Sequence, residues 1–255
     1  MSKLPICAAL LVFAGCAVDD ATAYGTADQA VKSENRLSGN RLSGNGLRLG
    51  ALTRGRLSRS SNKKQYFVDD TNPLLVDMLR GETSRDVLRY AVGCALASDE
   101  ELIGIVDGTR YTLVGRLNLV HDWVTKPLGT KDQELLTACL LAHTNYFGIT
   151  VPISVRGPHL SVQEAERLDY TVEEAAFYGN LFANPPVLRT CAVAGILAHD
   201  PSPYLAQRVC ATTTNGVTTP CGFVTDGFCA VACDDDNKKC GPDATYEQVV
   251  TVYLP

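Results

Sequence analysis

The distribution of cysteine constrains this chain more than any other feature. Ten are present; Cys7 and Cys16 stand in the leading segment, and eight follow: Cys94, Cys139, Cys191, Cys210, Cys221, Cys229, Cys233 and Cys240. An even set in a chain with an export signal reads as a disulfide framework, here of four bridges, with roughly a hundred conceivable pairings. Cys229, Cys233 and Cys240 are close enough in sequence to raise a metal site instead. However, "CAVAC" leaves three residues between its cysteines where zinc sites use tighter pairs, and no histidine is near. Oxidising compartments favour disulfides over thiolate ligands. The expectation is four disulfides, no metal and no cofactor.

The leading segment supports export. Lys3 precedes an apolar run of ten, "ICAALLVFAG" from Ile6 to Gly15. A membrane-spanning helix needs about 20 residues, so the run is too short to cross a bilayer. Its length and flanks match a secretory signal over residues 1–15. Ala14 and Gly15 immediately before Cys16 resemble the lipobox of bacterial lipoproteins, with Phe13 departing from that pattern. The resemblance implies a diacylglycerol on the Cys16 thiol, cleavage before that residue and acylation of the new amino group. The competing reading is an ordinary signal cut near "ATA", Ala21 to Ala23. Each buried methylene contributes about 0.8 kcal/mol, so the acyl chains would make the membrane a nearly permanent partner. Ala17 is not the aspartate that retains such lipoproteins in the inner membrane. The expected location is the outer membrane or cell surface, with the periplasmic face as the other choice.

Residues 16–34 are small and polar, as a tether should be. A five-residue rhythm follows over 35–64: Leu37, Leu42, Leu47, Leu52 and Leu57, each preceded two positions earlier by Asn or Gly. Period five fits neither a helix nor a strand. It resembles pentapeptide-repeat β-helices, but solenoids need stacked neighbours to bury a core. Five units are too few for one, so a flexible or edge-packed spacer is expected. Eight basic residues and no acidic one lie between Arg36 and Lys64. From Tyr66 onward, thirteen basic and twenty-four acidic residues give a formal −11 (13 − 24). An acidic folded part on an anchored chain argues against nucleic acid as a partner.

Residues 65–255 read as one globular α+β domain, with a cysteine-rich, loop-rich part over 184–245. In "SRDVLRYAVGCALA", Val87, Leu88, Ala91, Val92, Ala95 and Leu96 recur at helical spacing behind Ser84 as N-cap. "ELIGIVDGTRYTLVG" alternates around Asp107-Gly108, a hairpin signal. "TKDQELLTACLLAHTNYFG" predicts a helix from a Thr130–Gln133 capping box to Gly148. "ITVPISV" and "YEQVVTVYLP" predict strands. Ser161 with Glu164, and Thr171 with Glu174, predict two more boxed helices, the second over "TVEEAAFYGNLF". Cys94 and Cys139 each border an apolar helical stripe, so packing of the two helices predicts a bridge between them. The last six cysteines are expected to pair among themselves.

No catalytic residue set emerges. Cys139 and His143, four apart, have the types of a nucleophile and base, but a reactive thiol needs exposure, and this one falls on an apolar face. His121, His143, His159 and His199 show no metal-ligand spacing. Arg156 and His159 follow a predicted strand, where binding residues often stand. Glu173 and Glu174 resemble a carboxylate pair but are explained by a helix N-terminus. "CDDDNKKC" lacks the ligand alternation of a calcium loop and reads as an acidic turn between cysteines.

Several phrases, "LRYAVGCALA", "ACLLAHTNYFGITVPISVRGPH", "EEAAFYGNLFA" and "VTVYLP", resemble exported lipoproteins of myxobacterial genomes, in which leucine- and glycine-bearing repeats precede a cysteine-bearing globular part. The resemblance implies export and disulfides and carries no activity. The function expected is that of a lipid-anchored envelope protein, a non-enzymatic binding or structural module with a protein or polysaccharide ligand. The alternative is an exported hydrolase acting on peptides or polysaccharides.

Overall fold

The computed structural model describes residues 32–34, 37–38, 58–59, 64–68, 72–193, 204–234 and 239–255. The signal segment, Cys7, the lipidation candidate Cys16, His199 and most of the repeat lie outside the described residues.

In chain order the elements are β1 (Lys32–Glu34), β2 (Leu37–Ser38), β3 (Ser58–Arg59), β4 (Gln65–Phe67), α1 (Pro73–Arg80), α2 (Glu82–Ala95), β5 (Glu101–Val106) and β6 (Thr109–Val114). There follow α3 (Thr130–Ala142), β7 (Thr144–Asn145), β8 (Pro152–Arg156), α4 (Glu164–Asp169), β9 (Val172–Asn180), β10 (Val187–Ala192), β11 (Val224–Phe228), α5 (Cys229–Ala232) and β12 (Val250–Leu254). One sheet has six strands in the order β1-β8-β12-β9-β10-β11, a second has four, β3-β4-β5-β6, and β2 pairs with β7. The architecture is α+β. The described parts of the tether and repeat act as edge strands: β1 runs antiparallel to β8, β2 parallel to β7, and β3 antiparallel to β4. Backbone from before Gln65 therefore completes the sheets of the globular part.

Between the two larger sheets lie α2 and α3, α3 resting on β9 and β12 and α2 on β6. Helix α2 buries Val87, Leu88, Ala91, Val92 and Ala95 of the predicted stripe, and Leu96 is its buried C-cap. Its start differs from expectation. Gly81 both ends α1 and begins α2, and Ser84 lies inside the first turn, its hydroxyl donating to the carbonyls of Met78 at 2.9 Å and Gly81 at 3.0 Å. Helix α3 is buried continuously from Leu135 to Ala142, as a helix covered by a sheet on one side and α2 on the other must be. The predicted Thr130–Gln133 box is replaced: Gly129 N–H donates to Asp132 Oδ2 at 3.3 Å, and Gln133 Nε2 donates to the Leu128 carbonyl at 3.0 Å. The helix ends at Ala142 rather than Gly148, because Thr144 and Asn145 are taken into pairing with β2. Phe147, which the predicted helix would have included, is exposed.

The β5–β6 hairpin matches the sequence. Asp107 and Gly108 both have positive φ, 51° and 78°, as a two-residue turn that follows strand twist requires. The largest departure is β9. "VEEAAFYGN" is a strand paired with β12 and β10, not a helix, and the Thr171–Glu174 box does not exist. Its apolar run is continuous because both faces are covered. Ala175 and Phe177 join the main core, while Ala176 and Tyr178 join a second core on the opposite side. The short α4 begins at Glu164 after Gln163, so Ser161 is not its cap either.

All eight cysteines from Cys94 to Cys240 are bonded. Cys94–Cys139 joins α2 to α3 with Cα atoms 6.2 Å apart, and Cys210–Cys221 closes a loop at the core edge. Cys191–Cys229 and Cys233–Cys240 brace the second core. Among the described residues, no helix is long and apolar enough to cross a membrane.

Candidate functional site

The strand β8 presents Ile153 and Val155 to the core and Ser154 and Arg156 to the other face, following the two-residue period. Strand β12 does the same with Val250, Val252 and Leu254 inward and Thr251 and Tyr253 outward. Register then assembles a polar group around Arg156. The Arg156 guanidinium carbon lies 3.5 Å from the centroid of the Tyr253 ring. Its Nη2 donates to the Tyr170 carbonyl at 2.7 Å and its Nε to Ser154 Oγ at 3.3 Å. Glu173 stands opposite Tyr253 across the β9–β12 pair. Burial raises the Tyr253 phenol above its ordinary range, and the Glu173 charge and hydrogen bond add to this.

Arg156 is thus a member of a half-buried Arg–Tyr–Glu group, held in one orientation. A guanidinium stacked on a ring beside a carboxylate offers donors, an acceptor and an aromatic edge to a polar ligand. His159 is placed differently: it sits exposed in the turn after β8 with φ of 66°. Tyr253 is not among the residues the sequence singles out, and Glu173 is expected at a helix N-terminus rather than in a strand beside Tyr253. The alternation in "VTVYL" was a usable signal for Tyr253, whereas Glu173 needed the β9 assignment.

The Cys139–His143 pair is present but closed to chemistry as a nucleophile and base. Cys139 is bonded to Cys94, and its Sγ lies 3.7 Å from His143 Nδ1. His143 is buried, its Nδ1 2.8 Å from the Cys139 carbonyl oxygen. Burial, chiefly, pushes its pKa down to about 4, with Arg116 and Arg208 adding like-charge repulsion against the bonding of the Cys139 carbonyl.

Glu173 and Glu174 do not act together, since they lie in strand β9 and not in a helical turn. Glu174 falls at the register shift opposite Val252 and Tyr253 and turns into the core. There it accepts from Arg208 Nε at 2.6 Å, while Arg208 Nη2 donates to the Ala142 carbonyl at 3.0 Å. Burial pushes the carboxyl up and Arg208 pulls it back. Nothing in the sequence around Arg208 signalled this role. A second ion pair lies on the far face of the sheet: Arg189 Nε donates to Asp226 Oδ2 at 2.8 Å and Nη2 to Oδ1, and the Tyr178 hydroxyl donates to Oδ2 at 2.6 Å. No protein-family model, curated protein or solved structure matches the chain.

Proposed function

We propose that this protein is a lipid-anchored envelope or surface protein, held to the membrane through Cys16, whose globular part is a non-enzymatic binding or structural module. The observation that carries the reading is the complete pairing of the eight cysteines from Cys94 to Cys240. Such a density of bridges belongs to an oxidising compartment. The same pairing removes Cys139 as a nucleophile, and burial keeps its neighbour His143 neutral at neutral pH. The Arg156–Tyr253–Glu173 face supports a protein or polysaccharide ligand, because aromatic stacking and charged hydrogen bonds suit both.

Mass spectrometry of the native protein, intact and as non-reduced peptides, tests the reading. The expected result is a chain beginning at acylated Cys16 with no free thiol. A chain beginning at Met1 with reactive thiols overturns it. For the module itself, the folded part should retain a ligand from envelope material, and Arg156→Ala should release it. Turnover in peptide or glycan hydrolysis panels would favour a hydrolase instead.

A further inference from the structure

Two disulfides meet on the second core. Cys191 Sγ lies 3.5 Å from Cys233 Sγ, although the two belong to different bridges, Cys191–Cys229 and Cys233–Cys240. The sulfurs of Cys191, Cys229 and Cys233 all lie within 4.8 Å of one another. Of the eight bonded cysteines, Cys233 alone is partly exposed and the others are buried. We propose that Cys233–Cys240 is a thiol-exchange site, taking low-molecular-weight thiols and dithiols at Cys233, and that Cys191 receives the bond next.

Exchange requires access to one sulfur and a nearby acceptor for the released thiolate. Cys233 supplies the access. Phe228 and Val231, 41 % and 84 % exposed, stand near Cys229 and Cys233 in the sequence. The bridge also closes the shortest covalent loop, of seven residues, so opening it frees little chain. Backbone hydrogen bonds also hold the two segments together independently of the bridge. Cys240 and Tyr246 exchange two hydrogen bonds at 2.9 and 3.0 Å, Gly241 N–H donates to the Ala232 carbonyl at 2.9 Å, and Cys233 N–H donates to the Cys229 carbonyl at 2.9 Å. The Cys233 sulfur is therefore kept beside Cys191.

The steps balance. A thiolate of an external dithiol attacks Cys233 Sγ, and the electron pair of the broken bond leaves on Cys240, which takes a proton. The second thiol of the reagent displaces Cys233 and closes the reagent's own disulfide. The Cys233 thiolate then attacks Cys191 Sγ, and Cys229 leaves as the thiolate and is protonated. The reagent loses two electrons and two protons, and the protein ends with a Cys191–Cys233 bond and thiols at Cys229 and Cys240.

The test uses the native full chain with limiting dithiothreitol, acid quenching, maleimide labelling and a non-reduced peptide map with fragmentation between Cys229 and Cys233. The expected product carries label on Cys229 and Cys240 and a Cys191–Cys233 cross-link. Glutathione alone should leave a mixed disulfide on Cys233. In a Cys191→Ala/Cys229→Ala variant, label should fall on Cys233 and Cys240. First labelling at Cys94, Cys139, Cys210 or Cys221 overturns the exchange site. Label confined to Cys233 and Cys240 in the wild type, with Cys191–Cys229 intact, overturns the transfer to Cys191. Both wild-type results stand whether or not the variant folds.

Discussion

Glu174 and Arg208 form an ion pair 2.6 Å long whose side chains are 2 % and 0 % exposed. It ties β9 to the segment after the short 3-10 turn Leu205–Gln207 and, through the Ala142 carbonyl, to the end of α3. Glu174 Oε1 and Arg208 Nη1 have no hydrogen-bond partner among the described residues. A buried pair is costly to break from one side, because the remaining charge is left in a poorly polarisable interior, yet an apolar replacement of both is often neutral.

Arg208→Met is therefore expected to destabilise the protein by about 3–5 kcal/mol, and the double change Glu174→Leu/Arg208→Met to recover most of that loss. Denaturant unfolding with the disulfides intact measures both. A single variant as stable as the wild type would show that the pair is not held as described.

His143 predicts a pH dependence. Its folded pKa of about 4 lies below the ordinary 6.5, so the unfolded chain takes up its proton first as pH falls. The protein should lose stability from about pH 6.5 down to pH 4 and lose no more from this group below that. A displacement of that size corresponds to roughly 3 kcal/mol. Urea midpoints across that window should fall for the wild type, and His143→Gln should flatten the slope. Equal slopes in the two proteins would remove His143 as the cause.

The four bridges should differ in worth according to the chain they close. Cys94–Cys139 spans 45 residues and Cys233–Cys240 spans 7. In the chain-entropy account, these correspond to about 4 and about 2 kcal/mol, before native strain is subtracted. Paired alanine replacements, compared by calorimetry without reductant, should rank in that order.

The Arg156–Tyr253 stack should couple the two residues by about 0.5–1 kcal/mol, since the ring is half-buried. A double-mutant cycle with Arg156→Ala and Tyr253→Leu reads this directly. Arg156→Lys should not restore the coupling, because an ammonium lacks the planar face and the fork that reaches Tyr170 and Ser154. Full rescue by lysine would mean that charge alone matters there.

Much of this arrangement was legible from local pattern. The Asp107-Gly108 turn, the stripe of α2 and the strand over Pro152–Arg156 each follow from a short-range period or a turn residue. The Cys94–Cys139 bridge followed as well, because two helices with apolar faces bring those faces together. Capping was read less well. Ser84, Thr130 and Ser161 have the right chemistry for N-caps, yet the caps are Gly81, Gly129 and Gln163, since caps depend on where the preceding chain arrives. The "TVEEAAFY" stretch misled most: a continuous apolar run suits a buried helix or a strand covered on both sides.

The sequence by itself determined the α+β class, the hairpin, the two central helices and the existence of a covalent framework, because each rests on contacts between near neighbours or on residue type. Only the tertiary structure decided that β9 is a strand, that Glu174 meets Arg208, that Tyr253 lies under Arg156, and that Cys191 touches Cys233 across two bridges. Those four facts depend on strand register and on which faces are covered. Both are set by packing between segments far apart in the chain, and a local period carries no record of them.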